Sequence, residues 1–199
     1  MACKVRPVRL PAVRKPVPRI RSFPGLGDPK LLQLGEPRKT GMPDELDFRD
    51  VLGHFATGVT VVAARRPDGA PCGLTVNAVA SVSLEPLLIL VCLDRQAASH
   101  DWVADGRAFA VSVLASSEEA VARRFSGGQR EERFLDLAHR IEATGSPVLE
   151  GALAWLDCLI RDVHAAGDHS IVVGEVVACG ASGGDPLIFY RGEYRRIAP

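Results

Sequence analysis

The stretch Leu74-Thr75-Val76-Asn77-Ala78-Val79-Ala80-Ser81-Val82-Ser83-Leu84-Glu85-Pro86-Leu87-Leu88-Ile89-Leu90-Val91-Cys92-Leu93 decides the fold class. Leu74 to Val82 and Leu87 to Leu93 are rich in aliphatic and β-branched side chains and read as strands. Glu85-Pro86 splits them, and no helix separates them. Working outward, Val59 to Ala64 is a further β-branched strand, followed by a turn at Pro67-Asp68-Gly69. Phe109 to Leu114 is another strand. Three late strand regions run from Leu153 to His164, from His169 to Cys179, and from Leu187 to Tyr190 with Tyr194 to Ile197.

Helices are few. Asp47 is a candidate cap for a first helix with Phe48, Val51, Leu52 and Phe55 on one face and Gly58 as its stop. Ser99 to Ala104 suits a short helix capped by Ser99. Ser117-Glu118-Glu119 opens a third, with Ala120, Val121 and Phe125 on one face. Residues 126–140 are polar and read as a loop with a helical turn. Strands dominate and no regular βαβ alternation appears. The expected fold is therefore mainly β: an antiparallel barrel with a few peripheral helices.

The chain has 199 residues, with 24 Lys+Arg against 24 Asp+Glu. The balance hides an asymmetry. Residues 1–44 hold ten basic and three acidic side chains, a net of +7, and eight of the 14 prolines. Proline at that density opposes helix and sheet alike. Residues 1–44 are expected to form a disordered basic tail, and residues 45–199 the folded domain. With zero net charge, no nucleic-acid partner is expected. No apolar run of 18 residues exists, so no membrane span is expected. The five cysteines form no CxxC pair, which argues against a disulfide framework or structural zinc and for a reducing cytoplasm. The histidines show no paired metal spacing, and no metal is expected. Fingerprints of dinucleotide-binding Rossmann sites, P-loops and α/β-hydrolase nucleophiles are all absent from the sequence.

Three segments carry the chemistry. Thr75 to Ser83 combines strand character with short hydrogen-bonding side chains, suited to lie along a flat polar heterocycle or to face water. Asp94-Arg95-Gln96-Ala97-Ala98-Ser99-His100 joins a strand end to a helix start, where backbone N–H groups favour phosphate. Gly167-Asp168-His169 is a tight turn between two strands.

These segments occur in order with Phe55-Ala56-Thr57-Gly58-Val59-Thr60-Val61-Val62, Gly73-Leu74, Ser81-Val82-Ser83-Leu84-Glu85-Pro86, Phe125-Ser126-Gly127, Gly174-Glu175-Val176, Asp185-Pro186-Leu187 and Gly192-Glu193-Tyr194. Over residues 46–198 the chain resembles the short-chain flavin reductases, the reductase components of two-component flavin-dependent monooxygenases. The resemblance implies an FMN-binding split barrel, normally a homodimer, that reduces FAD or FMN with NADH or NADPH. The reduced flavin would pass to a separate monooxygenase. It also implies a flavin site at Thr75, Val76, Asn77, Ala78, Ser81, Val82, Ser83, Cys92, Leu93, Asp94, Gln96, Ala97, Ser99, His100 and Phe125. Gly167, Asp168, His169 and Tyr194 would approach the nicotinamide nucleotide. Ala78 stands where many relatives carry serine, and His100 where threonine is common. Arg130 and Arg133 are either candidates for a pyrophosphate or adenine, which favours FAD, or solvated surface arginines.

Hydride transfer between two cofactors needs no acid–base pair, so no catalytic acid or base is expected. Two other readings use the same barrel: an oxidase of the pyridoxamine-phosphate-oxidase type that keeps its FMN, and a non-catalytic flavin- or haem-binding protein. Gly167-Asp168-His169 favours the reductase over both. Deleting residues 1–44 is expected to leave folding and NADH:flavin reductase activity intact. An insoluble product, or one that loses most activity at saturating substrates, would show that the tail packs on the domain.

Overall fold

A computed structural model describes residues 43–127 and 132–197. The tail expected over residues 1–44 lies outside the described residues up to Met42, as does Arg130. Chain order is α1 (Glu45–Gly53), β1 (Thr57–Gly58), β2 (Thr60–Arg65), β3 (Pro71–Val76), β4 (Val79–Leu84), β5 (Leu87–Asp94), α2 (His100–Ala104), β6 (Ala108–Val113), α3 (Glu119–Ser126), β7 (His139–Ile141), β8 (Pro147–Leu149), β9 (Ala154–Ala166), β10 (His169–Ala181), β11 (Ile188–Tyr190) and β12 (Glu193–Arg195).

Seven strands form one antiparallel sheet in the order β3-β2-β6-β9-β10-β5-β4. Its two edge strands, β3 and β4, are consecutive in the chain and joined only by Asn77-Ala78. A flat sheet would hold its edges many strand spacings apart, at about 4.8 Å each. Two residues cannot bridge that distance. The sheet must therefore curl until its edges meet, giving a barrel split between β3 and β4. Ala78 O accepts from Cys92 N at 3.0 Å and fastens the junction to β5. The segment expected as one strand, Leu74 to Val82, is thus two strands on opposite edges. The turn is forced because Asn77 and Ala78 leave both ladders.

β2 explains its own composition. Val62 and Ala64 face one buried cluster with Leu74, Val91, Leu93, Phe109 and Val172. Val61 and Ala63 face a second with Leu114, Ala122, Phe125, Leu149 and Leu187. Both faces are covered, so the run is continuously apolar instead of alternating. The first cluster fills the barrel, and the second lies under α3, β8 and β11. β1, β11 and β12 form a small separate sheet, and β7 pairs with β8. β7, which starts within the stretch 126–140 read as a loop, and β8 were not expected from the sequence; each is only three residues long.

The helix ends differ from expectation in instructive ways. Asp44, not Asp47, is the N-cap of α1: its Oδ1 accepts from Asp47 N at 2.8 Å, and Asp47 occupies the reciprocal position of a capping box. A truncation that tests the tail alone should therefore begin at Pro43. α1 ends at Gly53, before the expected stop at Gly58. Its apolar side chains Phe48, Val51 and Leu52 are exposed on the single chain, as is Phe55, which was expected on the same face but lies beyond the helix end. Ser99 sits at the start of α2 but makes no capping bond. Its hydroxyl donates to Gly73 O at 3.1 Å. α3 begins at Glu119 and buries Ala122 and Phe125, while Ala120 faces out.

Gly174 on β10 crosses Phe109 of β6 inside the barrel. A Cβ there would lie 2.6 Å from Phe109 Cζ and 3.0 Å from Cys158 Cβ. Gly174→Ala is expected to lower stability by about 1–3 kcal/mol through overpacking. A denaturant midpoint unchanged from wild type would contradict this packing.

Candidate functional site

A cavity of about 370 Å³ opens on the outer wall beside the split. Its floor is β3 and the junction, Leu74 to Ala78. One side is Cys92, Asp94 and the loop Gln96 to Ala98. The other is the end of α3, Phe125 and Ser126, with Arg133. His169 closes the rim. A barrel this small fills its interior with side chains, so a planar ligand must use the outside wall.

Each wall has a local cause. Thr75 alternates away from the barrel core, and its hydroxyl donates to Ala122 O at 2.6 Å, tying β3 to α3. Thr60 Oγ1 donates to Val76 O at 2.6 Å. Asn77 Nδ2 reaches Thr57 Oγ1 at 3.3 Å. In the loop, Asp94 Oδ1 accepts from Gln96 N at 2.8 Å and Asp94 O from Ala97 N at 3.0 Å, an Asx turn that shapes the chain.

Arg133 is only 7% exposed. Its Nη1 donates to Gly73 O at 2.8 Å, and Nε and Nη2 donate to Gly127 O at 3.3 and 3.1 Å. Gly73 is where β3 passes closest to its neighbours: a Cβ would meet Val62 O at 2.9 Å and Phe125 Cε1 at 3.1 Å. One glycine carbonyl thus gathers Ser99 and Arg133, joining the loop and α3 to β3. The guanidinium brings a positive charge to the cavity wall, where an anionic ligand group would be attracted.

Gly167 and Asp168 form a two-residue hairpin loop between β9 and β10, with Gly167 at φ +65°, a region glycine reaches without strain. His169 then begins β10 opposite Asp94 of β5. Its Nδ1 donates to Asp168 Oδ1 at 2.7 Å. That hydrogen bond, followed by the charge of His169 and more weakly that of Arg49, holds the Asp168 carboxyl below its usual 3.8.

The sequence-derived residues divide by position. Thr75, Val76, Asn77, Ala78, Cys92, Asp94, Gln96, Ala97, Phe125 and His169 line the cavity together. Leu93 is wholly inside the barrel core. Ser99 and His100 are buried behind the loop. Ser81, Val82 and Ser83 lie farther along β4, outside the cavity lining of the single chain. Gly167 and Asp168 are exposed beside His169. Tyr194 lines an adjoining cavity of about 150 Å³ with Val59, Thr75, Asn77, Ser126 and Phe189. The two cavities share Thr75, Asn77 and Ser126 as a common wall. Leu74, Ala98 and Ser126 were not singled out from the sequence as binding residues. Arg133 was raised there only beside the solvated alternative.

Burial first, then Asp157 and Cys179, pushes the Cys158 thiol up to about 12. Among the described residues no group of three His, Cys, Asp or Glu side chains is arranged to hold a metal. The residues present fit a flavin: a flat half-open cleft, backbone and short polar groups along its floor, and a buried cation at one wall.

Residues 52–198 match the model of the flavin reductase like domain. Over 158 residues the chain is 40% identical to an NADH-dependent FMN reductase of Agrobacterium fabrum, covering 79% of this chain and 89% of that one. It is 38% identical to the reductase subunit of a flavin-dependent monooxygenase of Mycobacterium tuberculosis, covering 78% and 84%. A Streptomyces globisporus NADH:FAD oxidoreductase, solved with NAD and FAD fragments, superposes with a TM-score of 0.73 at 36% identity, covering 78% and 94%. Against one longer structural neighbour the chain spans about half the length, 52%.

The Asp168 carboxyl is expected to titrate below 3.8 in the folded protein. A depressed carboxylate contributes its pairing above the usual range and loses it as pH falls through the lowered value. Carboxyl NMR should show His169→Ala returning Asp168 toward 3.8. An unchanged titration in the variant would contradict the pairing.

Proposed function

The chain belongs to the flavin reductase like domain family, and on that premise we propose that it reduces FAD or FMN with NADH and hands the reduced flavin to a separate monooxygenase. The observation that carries this reading is the convergence of three chain segments on one outer-wall cavity: Leu74 to Ala78, Cys92 to Ala98, and His169. The bound pair supplies hydride transfer from the dihydronicotinamide to the flavin ring, chemistry that belongs to the cofactors.

The residues hold and orient. The floor from Thr75 to Ala78 receives the flat ring, with the Asn77 amide side chain and the amides of the strand junction as donors toward its polar edge. Gln96 to Ala98 and Arg133 take the ribityl phosphate end. The Ser99 hydroxyl is spent on Gly73, so it supports the loop and does not contact phosphate. His169 orients the nicotinamide nucleotide from the rim, and Tyr194 contributes from the adjoining cavity. Positioning of this kind supplies most of the rate in a reaction that needs two rings stacked at close range.

The same reading includes a homodimer. One outer wall covers one face of a planar ligand, and a second subunit would cover the other and exclude water. Leu46, Phe48, Val51 and Leu52 on α1, Phe55 just after it, and Val82, Leu84 and Leu87 on the β4–β5 hairpin are large apolar side chains exposed on the single chain, and apolar surface of this kind marks interaction sites. Two-fold dimers are the commonest closed assembly. Cys72, Cys92, Cys158 and Cys179 form no disulfide among the described residues, and a reducing cytoplasm is part of the proposed reading. The basic, proline-rich residues 1–42 are proposed to be dispensable for this activity.

NADH oxidation at 340 nm with FAD, FMN and riboflavin in turn tests the activity. Turnover is expected with the phosphorylated flavins, and a higher KM for riboflavin, which offers no anion to Arg133. His169→Ala should raise the KM for NADH with flavin Kd nearly unchanged. No oxidation with any flavin, or a tightly retained yellow cofactor without NADH turnover, would overturn the reductase reading. Sedimentation at micromolar concentration should report about twice 21.3 kDa. A monomer with full activity would refute the shared site.

A further inference from the structure

Behind the cavity rim, outside its lining, lies a buried polar cluster. His100, the first residue of α2, and Ser170, on β10, are 8% and 5% exposed. His100 Nε2 lies 2.9 Å from Ser170 Oγ, and Nδ1 lies 2.7 Å from Asp101 Oδ1. A ring nitrogen facing a carboxylate is the donor, which leaves Nε2 to pair with the serine hydroxyl. Breaking such a pair would strand buried polar atoms.

The positions of these two residues in the chain give the contact its meaning. His100 directly follows the loop that lines the cavity. Ser170 directly follows His169. Alternation along β10 turns His169 to the rim and Ser170 to the opposite face. On the other side of His169, Arg95 N donates to Asp168 O at 3.0 Å. Besides the ladder that pairs His169 with Asp94, the hairpin turn is tied to the loop and α2 at two points that flank His169, one through the Arg95–Asp168 backbone bond and one through the His100–Ser170 side-chain contact.

We propose that His100 and Ser170 are positioning residues that fix His169 relative to the flavin loop, so that the supports of the hydride donor and acceptor move as one body. The inference rests on the reductase reading. The loop keeps its own shape through Asp94, which accepts from Gln96 N and Ala97 N. Loss of the tie therefore falls on the nicotinamide side: the turn keeps its backbone links to β5 and β9 but loses its side-chain brace to α2, so its tip is held less firmly. A small misplacement is costly where reacting atoms must be held at close range.

The full-length protein tests this. Wild type is assayed first for NADH oxidation with FAD. A chain that oxidises no NADH overturns the reductase reading and, with it, the proposal. In an active chain, Ser170→Ala is expected to raise the KM for NADH about five-fold, with kcat and flavin Kd within about two-fold. The Kd of NAD⁺ for the flavin-loaded protein should rise in parallel. Ser170→Thr, which keeps a hydroxyl on a strand, should return KM to within about two-fold of wild type. A KM in Ser170→Ala equal to wild type overturns the tie. So does a loss in which KM, flavin Kd and thermal midpoint worsen together, because that pattern marks a structural contact only. A folded Ser170→Thr variant that fails to restore KM overturns the role of the hydroxyl.

Discussion

The whole arrangement depends on closing a seven-stranded sheet through a two-residue link. β3 and β4 are its edges, yet Asn77-Ala78 joins them directly. That demand curls the sheet, creates the split, and leaves two residues outside both ladders at the one point where the outer wall is interrupted. The cavity floor is the link itself. Site and fold closure are the same feature, which explains why polar residues interrupt an otherwise apolar strand pair there.

A second economy follows from how hydroxyls and cations are used. Thr75 and Ser99 carry side chains that could meet a ligand, but both donate to main-chain carbonyls, of Ala122 and Gly73. Arg133 joins Ser99 on Gly73 O. Those contacts bind α3 and the loop to β3 and leave recognition to backbone groups, Asn77, Gln96 and one buried positive charge. A site built this way can tolerate alanine at position 78, because the scaffold and not a row of side chains defines the ring's bed. It also suits a ligand that must leave after reduction.

Much of this was legible in the sequence. The β-branched runs gave the strands, Gly167-Asp168 gave the hairpin, and the ordered motifs gave the family and the cavity segments. The rest was hidden for physical reasons. The break at Asn77-Ala78 interrupts no apolar pattern strongly enough to separate from a continuous strand. The cap at Asp44 lay inside a proline-rich stretch whose composition masked it. Serine at a helix start signals a cap, and nothing in the sequence could reveal that Ser99 bonds a strand 26 residues earlier. Burial of Arg133 depends on Gly73 and Gly127 carbonyls that periodicity does not report. The face of α1 was correctly read as apolar, but the single chain leaves it bare.

The flavin is proposed to lie on the outer wall at the split, across the Asn77-Ala78 link. In a crystal structure of the protein soaked with FAD and NAD⁺, ring density is expected along Thr75 to Ala78, phosphate density beside Gln96 to Ala98 and Arg133, and nicotinamide density at His169. Flavin density on another surface, or with its ring away from the link, would contradict this placement.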